Sequence, residues 1–541
     1  IFVLSPDPAG AGLDTTLASL SAAAAFGVDS SVIVLCPRGT PPPARPGAMP
    51  VAHIACSPDD FVETINAQTA SSAAEWVLIV RAGDEFTPCG LSLLMLDVSG
   101  ADHCRAVYAD EFFRAANGHL GAAFRPDFSL DLMLSFPAAM ASHWLIRRED
   151  FLRAGGLSPA CGEAAELDLI LRLVESGGLA GLGHVAEPLV VTDPPSAVPT
   201  PQERNVLVRH LAARGYLGAM VHEDAPRRYR IEYGHTDQPL VSIIVPTRDQ
   251  LPLLQRCVES LIEKTRYPNY ELLIIDNQSQ TEEACRWLDG VAGMGNDRVR
   301  VLRYPHPFNF SAMNNLAVEQ ARGDYLVLLN NDTAIIEPGW LDAMLNQAQR
   351  PEVGVVGAKL LFPDGTVQHA GVVLGLRGPA DHPFMGAPMN ASGTMQRLQI
   401  DQNYCAVTAA CMMIRKSIYQ AVGGMDPDAF KVSYNDVDLC LKVAQAGYLN
   451  VWTPHALVLH EGSVSQKTLD ADALEARRTR FTAEQDAFYA KWLPLIANDP
   501  AYNRHLSLHG KGFEFEARTD LTWPPVGVRS LPVVLAHVAD R

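Results

Sequence analysis

The side chains best placed to do chemistry in this chain stand where apolar runs stop. In the stretch DYLVLLNNDT the run Tyr325–Leu329 gives way abruptly to Asn330, Asn331 and Asp332. Such a run reads as a strand buried on both faces. Ligands of open α/β sheets sit beyond the carboxyl ends of the strands, so an Asn-Asn-Asp there can hold a divalent cation against an anionic ligand. A plain strand-to-turn exit accounts for the same residues, since Asn and Asp favour turns. Other runs end in the same way: EWVLIV in Arg81, Ala82, Gly83 and Asp84, YELLIID in Asp276 and Asn277, and ALVLH in His460. An acidic cluster, Asn435-Asp436-Val437-Asp438, opens a helical pattern, a position where the dipole alone favours carboxylates.

What must position these residues is a series of strands alternating with helices, the pattern of a parallel or mixed sheet with right-handed crossovers. The first half reads as strand (Ile1–Ser5), helix (Leu13–Phe26), strand (Ser31–Cys36), Pro-rich loop, strand (Val51–Ala55), helix (Asp60–Ala74) and strand (Glu75–Val80). Its segment GEAAELDLILRLVESGGL echoes SYNDVDLCLKVAQAGYL of the second half, which suggests a duplication with a period near half the chain. The echo is incomplete. The first copy has CPRGT where the second has IDNQS, and EPLVVTD where the second has ALVLHEGS, so it lacks one strand-end acid and one histidine. Asp84 and Asp168 remain, and the first half reads as a degenerate copy with a structural or acceptor-binding role.

Residues Thr192 to Gln202, TDPPSAVPTPQ, read as a linker, followed by a helix over Glu203 to Arg214 and a short connection. In the second half the helix Leu251–Lys264 carries Leu254, Val258, Leu261 and Ile262 as its sheet-facing stripe. A helix over Ser311–Ala321 precedes the central strand, and another restarts at Pro338. The tail from Thr468 is helical, with Phe481 and Phe488 on one side, and packs on the second domain. Alternatively, its Arg477, Arg478 and Arg480 approach an anionic lipid carrier or a membrane surface.

The bulk numbers bound these readings. A chain of 541 residues exceeds a single core, so two large domains, or two with a tail, are expected. A net charge of -18 argues against nucleic acid as the main partner. No run of apolar residues is long enough for a membrane span. Ten scattered cysteines without a CxxC pair fit reduced thiols, hence a cytoplasmic protein, with a peripheral seat at the inner membrane left open. Because the chain opens at Ile1 inside a strand-like run, without a signal peptide, it reads as trimmed.

VSIIVPTRDQ, ELLIIDNQS, NNLAVEQARGDYLVLLNNDT, AVTAACMMIRKSIYQAVGGMDP, SYNDVDLCLKVAQAGY and LVLHEGS, in that order, resemble the inverting nucleotide-sugar glycosyltransferases of family 2. The nearest likeness is to bacterial O-antigen and polysaccharide enzymes with tandem domains. It is strong over Pro239 to Lys467 and weaker over Ile1 to Val191. The resemblance implies an α/β protein of two tandem GT-A-like domains, Rossmann-like with mostly parallel sheets, plus a helical C-terminal extension. The divisions are 1–195 (degenerate domain), 196–238 (linker), 239–467 (catalytic domain) and 468–541 (extension). It implies an inverting hexosyl- or deoxyhexosyltransferase of surface polysaccharide synthesis. The donor would be a UDP, dTDP or GDP sugar, the acceptor a glycan or lipid-linked saccharide, and the cofactor Mn2+ or Mg2+.

Residue by residue, the resemblance sets Pro246, Thr247, Arg248 and Asp249 as a wall for the base, and Asp276 with Asn277 beside the base or ribose. Asn315 would lie near the nucleotide, although a mid-helix Asn can equally sit on a solvated face. Asp332 corresponds to the last acid of the family's DxD motif, with Asn330 and Asn331 replacing its other positions. His460 corresponds to a second metal ligand, and imidazole suits Mn2+ better than Mg2+. Ser463 and Lys467 would reach phosphate. Asp436 corresponds to the general base that takes the acceptor's proton, with Asn435 where the family often has Glu. Asp438 would face elsewhere and act structurally. Thr408 to Ala410 would form a small-residue turn under the sugar. Gln368, His369, His382 and Phe384 would belong to a lid or acceptor wall, the histidines either touching substrate or merely solvated. Two other functions are open: a bifunctional polymerase that also uses Asp84, and a non-catalytic sugar-binding or scaffold protein.

Overall fold

The computed structural model describes residues 1–7, 9–24, 28–40, 50–115, 117–194, 198–295, 297–462 and 471–515. In the first half, β1 (Phe2–Leu4), β2 (Val32–Cys36), β3 (Val51–Ala55), β4 (Trp76–Val77), β5 (Ile79–Arg81), β6 (Glu85–Phe86), β7 (Ala106–Arg114), β8 (Leu120–Ala123), β9 (Leu145–Arg147) and β10 (Leu182–Thr192) form two sheets. One is parallel, in the order β3-β2-β1-β5; the other is mixed, in the order β4-β9-β7-β10-β6. A hairpin follows, β11 (Met220–Ala225) with β12 (Arg228–Glu232).

The second half contains β13 (Val241–Thr247), β14 (Tyr270–Asp276), β15 (Val299–Arg303), β16 (Tyr325–Leu329), β17 (Thr333–Ile335), β18 (Val353–Leu361), β19 (Val367–His369), β20 (Val373–Leu374), β21 (Ala380–Asp381), β22 (Gln402–Asn403), β23 (Cys411–Arg415) and β24 (Leu449–His460). All but the β20–β21 hairpin join one ten-stranded sheet, whose main path is β15-β14-β13-β16-β23-β18-β24-β17. The order repeats the first half strand for strand: β15-β14-β13-β16 follows β3-β2-β1-β5, and β16-β23-β18-β24-β17 follows β4-β9-β7-β10-β6. The strand directions repeat as well. β9 and β23 run antiparallel to both neighbours, while β10 on β7 and β24 on β18 are parallel. The duplicated segments in the sequence thus correspond to duplicated topology.

β13, β14, β16 and β18 are buried along their whole length, as their unbroken apolar runs require when both sheet faces are covered. The helix Leu251–Lys264 lays Leu254, Cys257, Val258 and Leu261 on that sheet. Ile262, expected in the same stripe, is 55% exposed. A step of about 100° past Leu261 carries it off the buried face. Ser260 is buried instead, and its hydroxyl accepts the N–H of Ile335 at 3.0 Å. The later helix starts at Trp340 with Gly339 as its cap, so Pro338 lies just outside it.

The stretch read as a linker is part of a core. The helix Pro201–Ala213 and the β11–β12 hairpin bury Val206, Leu207, Leu211, Val221, Tyr229 and Ile231 among first-half side chains. Proline at its start marks a helix N-terminus here rather than a flexible tether. The tail is helical over Ala471–Ile496, where Phe488 packs against Phe430 and Tyr434, and irregular from 497 to 514.

The halves meet in a buried polar seam. Arg350 donates to Asp131 at 2.5 Å, and the two are 0% and 2% exposed. Asp131 also accepts from Asn403 at 2.6 Å, and the Arg350 guanidinium lies 4.9 Å from the Tyr233 ring. Beyond the long helix, the chain crosses back over both halves. Asp499 accepts the Leu374 N–H at 2.7 Å, Asn503 donates to Asp110 at 2.8 Å, and Phe513 stacks on Phe384. Among the described residues, no helix is long and apolar enough to cross a membrane.

Candidate active site

β17 runs antiparallel to β24 with Thr333 opposite His460, a register that sets the preceding Asp332 against the imidazole. Asp332 Oδ1 lies 3.0 Å from His460 Nε2. Gln368, in β19, fixes the ring: its carbonyl accepts from Nδ1 at 2.5 Å, and its amide donates to the His460 carbonyl at 3.0 Å. With Nδ1–H committed to Gln368, the Nε2 lone pair faces Asp332, and Asn330 Nδ2 donates toward it at 3.2 Å. Burial pushes the Asp332 carboxyl up; when Nε2 of His460 carries a proton, its hydrogen bond and charge outweigh that burial and hold the carboxyl below its ordinary range, and a cation would take that proton's place. Two lone-pair atoms 3.0 Å apart suit a cation between them. Among the described residues, no three or more His, Cys, Asp or Glu are grouped to hold a metal. The pair therefore fits a cation that takes its other ligands from phosphate oxygens and water.

Asp436 opens the helix Asn435–Gln445, after Tyr434 turns the chain with a left-handed φ of 59°. Its Oδ2 accepts from the Thr408 hydroxyl and the Ala409 N–H, both at 3.1 Å, and its Oδ1 accepts the Val437 N–H at 2.9 Å. The small-residue turn Thr408–Ala410 thus orients this carboxylate as well as lining the cleft. Asp438, two residues on, is fully buried and holds Lys491 at 2.6 Å and Trp492 Nε1 at 2.9 Å, a structural position.

Asp332, His460 and Asp436 line one cleft of about 1370 Å³, and so do Pro246, Thr247, Arg248, Asp249, Asn330 and Asn331. Asn331 Nδ2 donates to Thr247 Oγ1 at 3.0 Å, which joins the strand-end turn to this wall. Asp249 takes a left-handed φ of 50° and accepts the N–H groups of Gln280 and Thr281 at 2.7 and 2.9 Å.

Other expected residues lie elsewhere. Asp276 does not line the cleft: Arg303 and Ser279 occupy its carboxylate, and the Ser279 hydroxyl in turn accepts the Asp249 N–H. Asp276 therefore acts on the wall through Ser279. Asn277 is buried, and its amide donates to His306 and Tyr304 carbonyls. Asn315 is also off the cleft, its side chain committed to Met425 and the Tyr419 hydroxyl. Ser463 and Lys467 fall outside the described residues. The region read as a lid or acceptor wall is a packed wall. Gln368 and His382 line the cleft, His369 sits behind His382 with their Nδ1 atoms 2.8 Å apart, and Phe384 points away onto Phe513. The sequence reading did not assign Gln368 to His460; its place in an alternating VQH run before a glycine was the available sign.

The corresponding place in the first half is differently filled. His143 bridges Asp84 at 3.1 Å and Glu111 at 2.7 Å, and Asp84 also accepts the Arg81 N–H. Burial alone would lower His143, but the two acids raise it well above its ordinary value. Val191 pairs with Glu85 where His460 pairs with Thr333, so no imidazole faces Asp84 from that strand. Glu166, which the segment echo sets in the place of Asp436, is half-buried, and loss of water around its carboxyl lifts it to about 7.

Residues 242–423 match the model of Glycosyl transferase family 2. The family match falls within the second half, on the strands that carry the cleft. Over 464 residues the chain is 38% identical to the uncharacterized protein y4gI of Sinorhizobium fredii, covering 82% of this chain and 50% of that one. It is 36% identical over 473 residues to the O-antigen biosynthesis protein RfbC of Myxococcus xanthus, covering 84% and 35%. The chain thus spans half or less of these curated relatives. A solved structure of the mannosyltransferase PcManGT from Pyrobaculum calidifontis, with GDP-Man and Mn2+, matches at a TM-score of 0.34 and 16% identity, over 48% of this chain and 65% of that one, too low a likeness to decide anything.

Proposed function

We propose that the second half transfers a hexosyl or deoxyhexosyl group, with inversion, from a nucleotide sugar to a glycan or lipid-linked acceptor. The step would belong to surface polysaccharide synthesis of the O-antigen type. The observation that carries this reading is the meeting of Asp332 and His460 at 3.0 Å on the wall of a cleft that Asp436 shares. In this reading Pro246 to Asp249 wall the base of the donor. Asp332 and His460 would hold Mn2+ or Mg2+, which when bound stabilises the charge developing on the departing diphosphate. Asp436 takes the proton of the acceptor hydroxyl during attack, and one base without a nucleophile inverts the reacting centre. The similarity to RfbC supports the polysaccharide context, and ten free cysteines support a reducing compartment.

The test is thermal stabilisation by UDP, GDP or dTDP, with and without Mn2+. One nucleotide is expected to raise the melting temperature only with the metal, by about 2.7 kcal/mol of apparent stability at a hundredfold excess over Kd. Asp332→Ala is expected to remove the effect. Absence of any metal-dependent nucleotide binding would overturn the reading in favour of a sugar-binding or scaffold protein.

The first half is read as non-catalytic because its remnant acid is tied to His143. Asp84→Ala is accordingly expected to leave the number of sugars added unchanged. Product mass spectrometry showing one of two additions lost would instead establish the bifunctional polymerase.

A further inference from the structure

Asp436 sits between two points at which the C-terminal helix Ala471–Ile496 grips the chain that carries it. The first lies three and four residues before it. Glu484, 4% exposed, accepts the N–H groups of Val432 and Ser433 at 3.2 and 2.7 Å, and Arg480, one turn earlier in the helix, balances its charge from 3.7 Å. The second point lies two residues after it. Asp438, fully buried, receives Lys491 Nζ at 2.6 Å and Trp492 Nε1 at 2.9 Å from the same helix, besides Lys442 of its own helix at 3.2 Å. Glu484, Asp438, Lys491 and Trp492 do not line the cleft, whereas Val432, Ser433, Asn435 and Asp436 do.

Between these two points the backbone takes a conformation it would not keep unaided. Tyr434 has a φ of 59°, disfavoured for a residue with a Cβ, and such a residue persists only where its surroundings hold it. The helix supplies that hold: the Tyr434 ring stacks on Phe488 at 5.1 Å and meets Phe481 at 5.7 Å. A reacting group misplaced by about 1 Å can lose on the order of a hundredfold in rate, so whatever fixes this turn bears on the chemistry.

We propose that Glu484 and Asp438 are positioning residues for Asp436, through which the C-terminal helix keeps the carboxylate where it takes the acceptor's proton. This deepens the glycosyltransferase reading and rests on it. Neither residue touches substrate in this role; each acts through the backbone on one side of Asp436.

The experiment follows nucleoside diphosphate release by the full chain from UDP-glucose, GDP-mannose or dTDP-rhamnose in Mn2+. Water stands in for the acceptor: its oxygen takes the sugar, the diphosphate leaves and Asp436 receives the proton. In Glu484→Gln the side-chain oxygen can accept one of the two N–H groups while its NH2 opposes the other. This variant is expected to lower kcat by about tenfold to a hundredfold with the donor KM unchanged. Added to Asp436→Asn, the same substitution should cost nothing further, because a positioning residue then has nothing to position. Lys491→Met should give the same pattern with a smaller fall, since Trp492 and Lys442 still hold Asp438, and it serves if Glu484→Gln does not fold. Asp131→Ala, at the seam between the halves, should lose stability and keep the wild-type kcat. A wild-type kcat in both helix variants would overturn the proposal. So would an undiminished further loss in the Asp436→Asn background, or an equal fall in Asp131→Ala, which would make the effect one of general stability. Release from none of the three sugars by wild type would instead strike the glycosyltransferase reading itself.

Discussion

Replacing Asp436 by Asn is expected to lower the transfer rate by about 10²- to 10⁴-fold, the range a positioned general base contributes. The change is isosteric. An amide oxygen can still accept from Thr408 and Ala409, so the turn should stand, although the Val437 N–H loses its acceptor. What is lost is the capacity to take up a proton. The loss should therefore fall on kcat at saturating donor, while metal-dependent nucleotide stabilisation matches wild type. An undiminished rate would assign the base elsewhere. A lost nucleotide response would mean that the donor pocket, not proton transfer, had been disturbed.

The second large effect is on stability. Asp131→Ala leaves the Arg350 guanidinium, fully buried, without its closest anion. Breaking one side of such a pair costs about 3–5 kcal/mol. Glu352 and Gln347 still bond Arg350, which favours the lower end, about 3 kcal/mol. The urea midpoint followed by tryptophan fluorescence should fall accordingly. Removing both charges, as in Asp131→Leu with Arg350→Met, should recover much of the loss, because no buried ion is then left unpaired. If the single variant kept the wild-type midpoint, the seam between the halves would contribute nothing to stability.

The parts of the site legible in the sequence were those fixed by strand ends. Asp332 and His460 each close an apolar run, and sheet pairing brings such ends to one edge. Asp436 was reached only through the family resemblance, since an acid that opens a helix is equally explained by the helix dipole. Asp276 also closes a strand, yet its carboxylate is taken by Arg303, a pairing that depends on which strand becomes its neighbour. Asn315 shows the same limit: its partner Tyr419 lies 104 residues away, and nothing in the local helix pattern announces it. The linker reading failed because proline- and threonine-rich composition describes only the entrance to the segment. The helix over Glu203 to Arg214 was read, but the apolar positions of the hairpin after it, Val221, Tyr229 and Ile231, were not.

The crossing-back of residues 499 to 514 bears on how the molecule is made. Asn503 bonds Asp110 across 393 positions of chain, so this latch is translated long after the strand it fastens. The first half emerges early and can collapse on its own core, while its Asp110 edge waits for a partner not yet translated. Maturation would then have two stages, an early one for each half and a late fastening that completes both together.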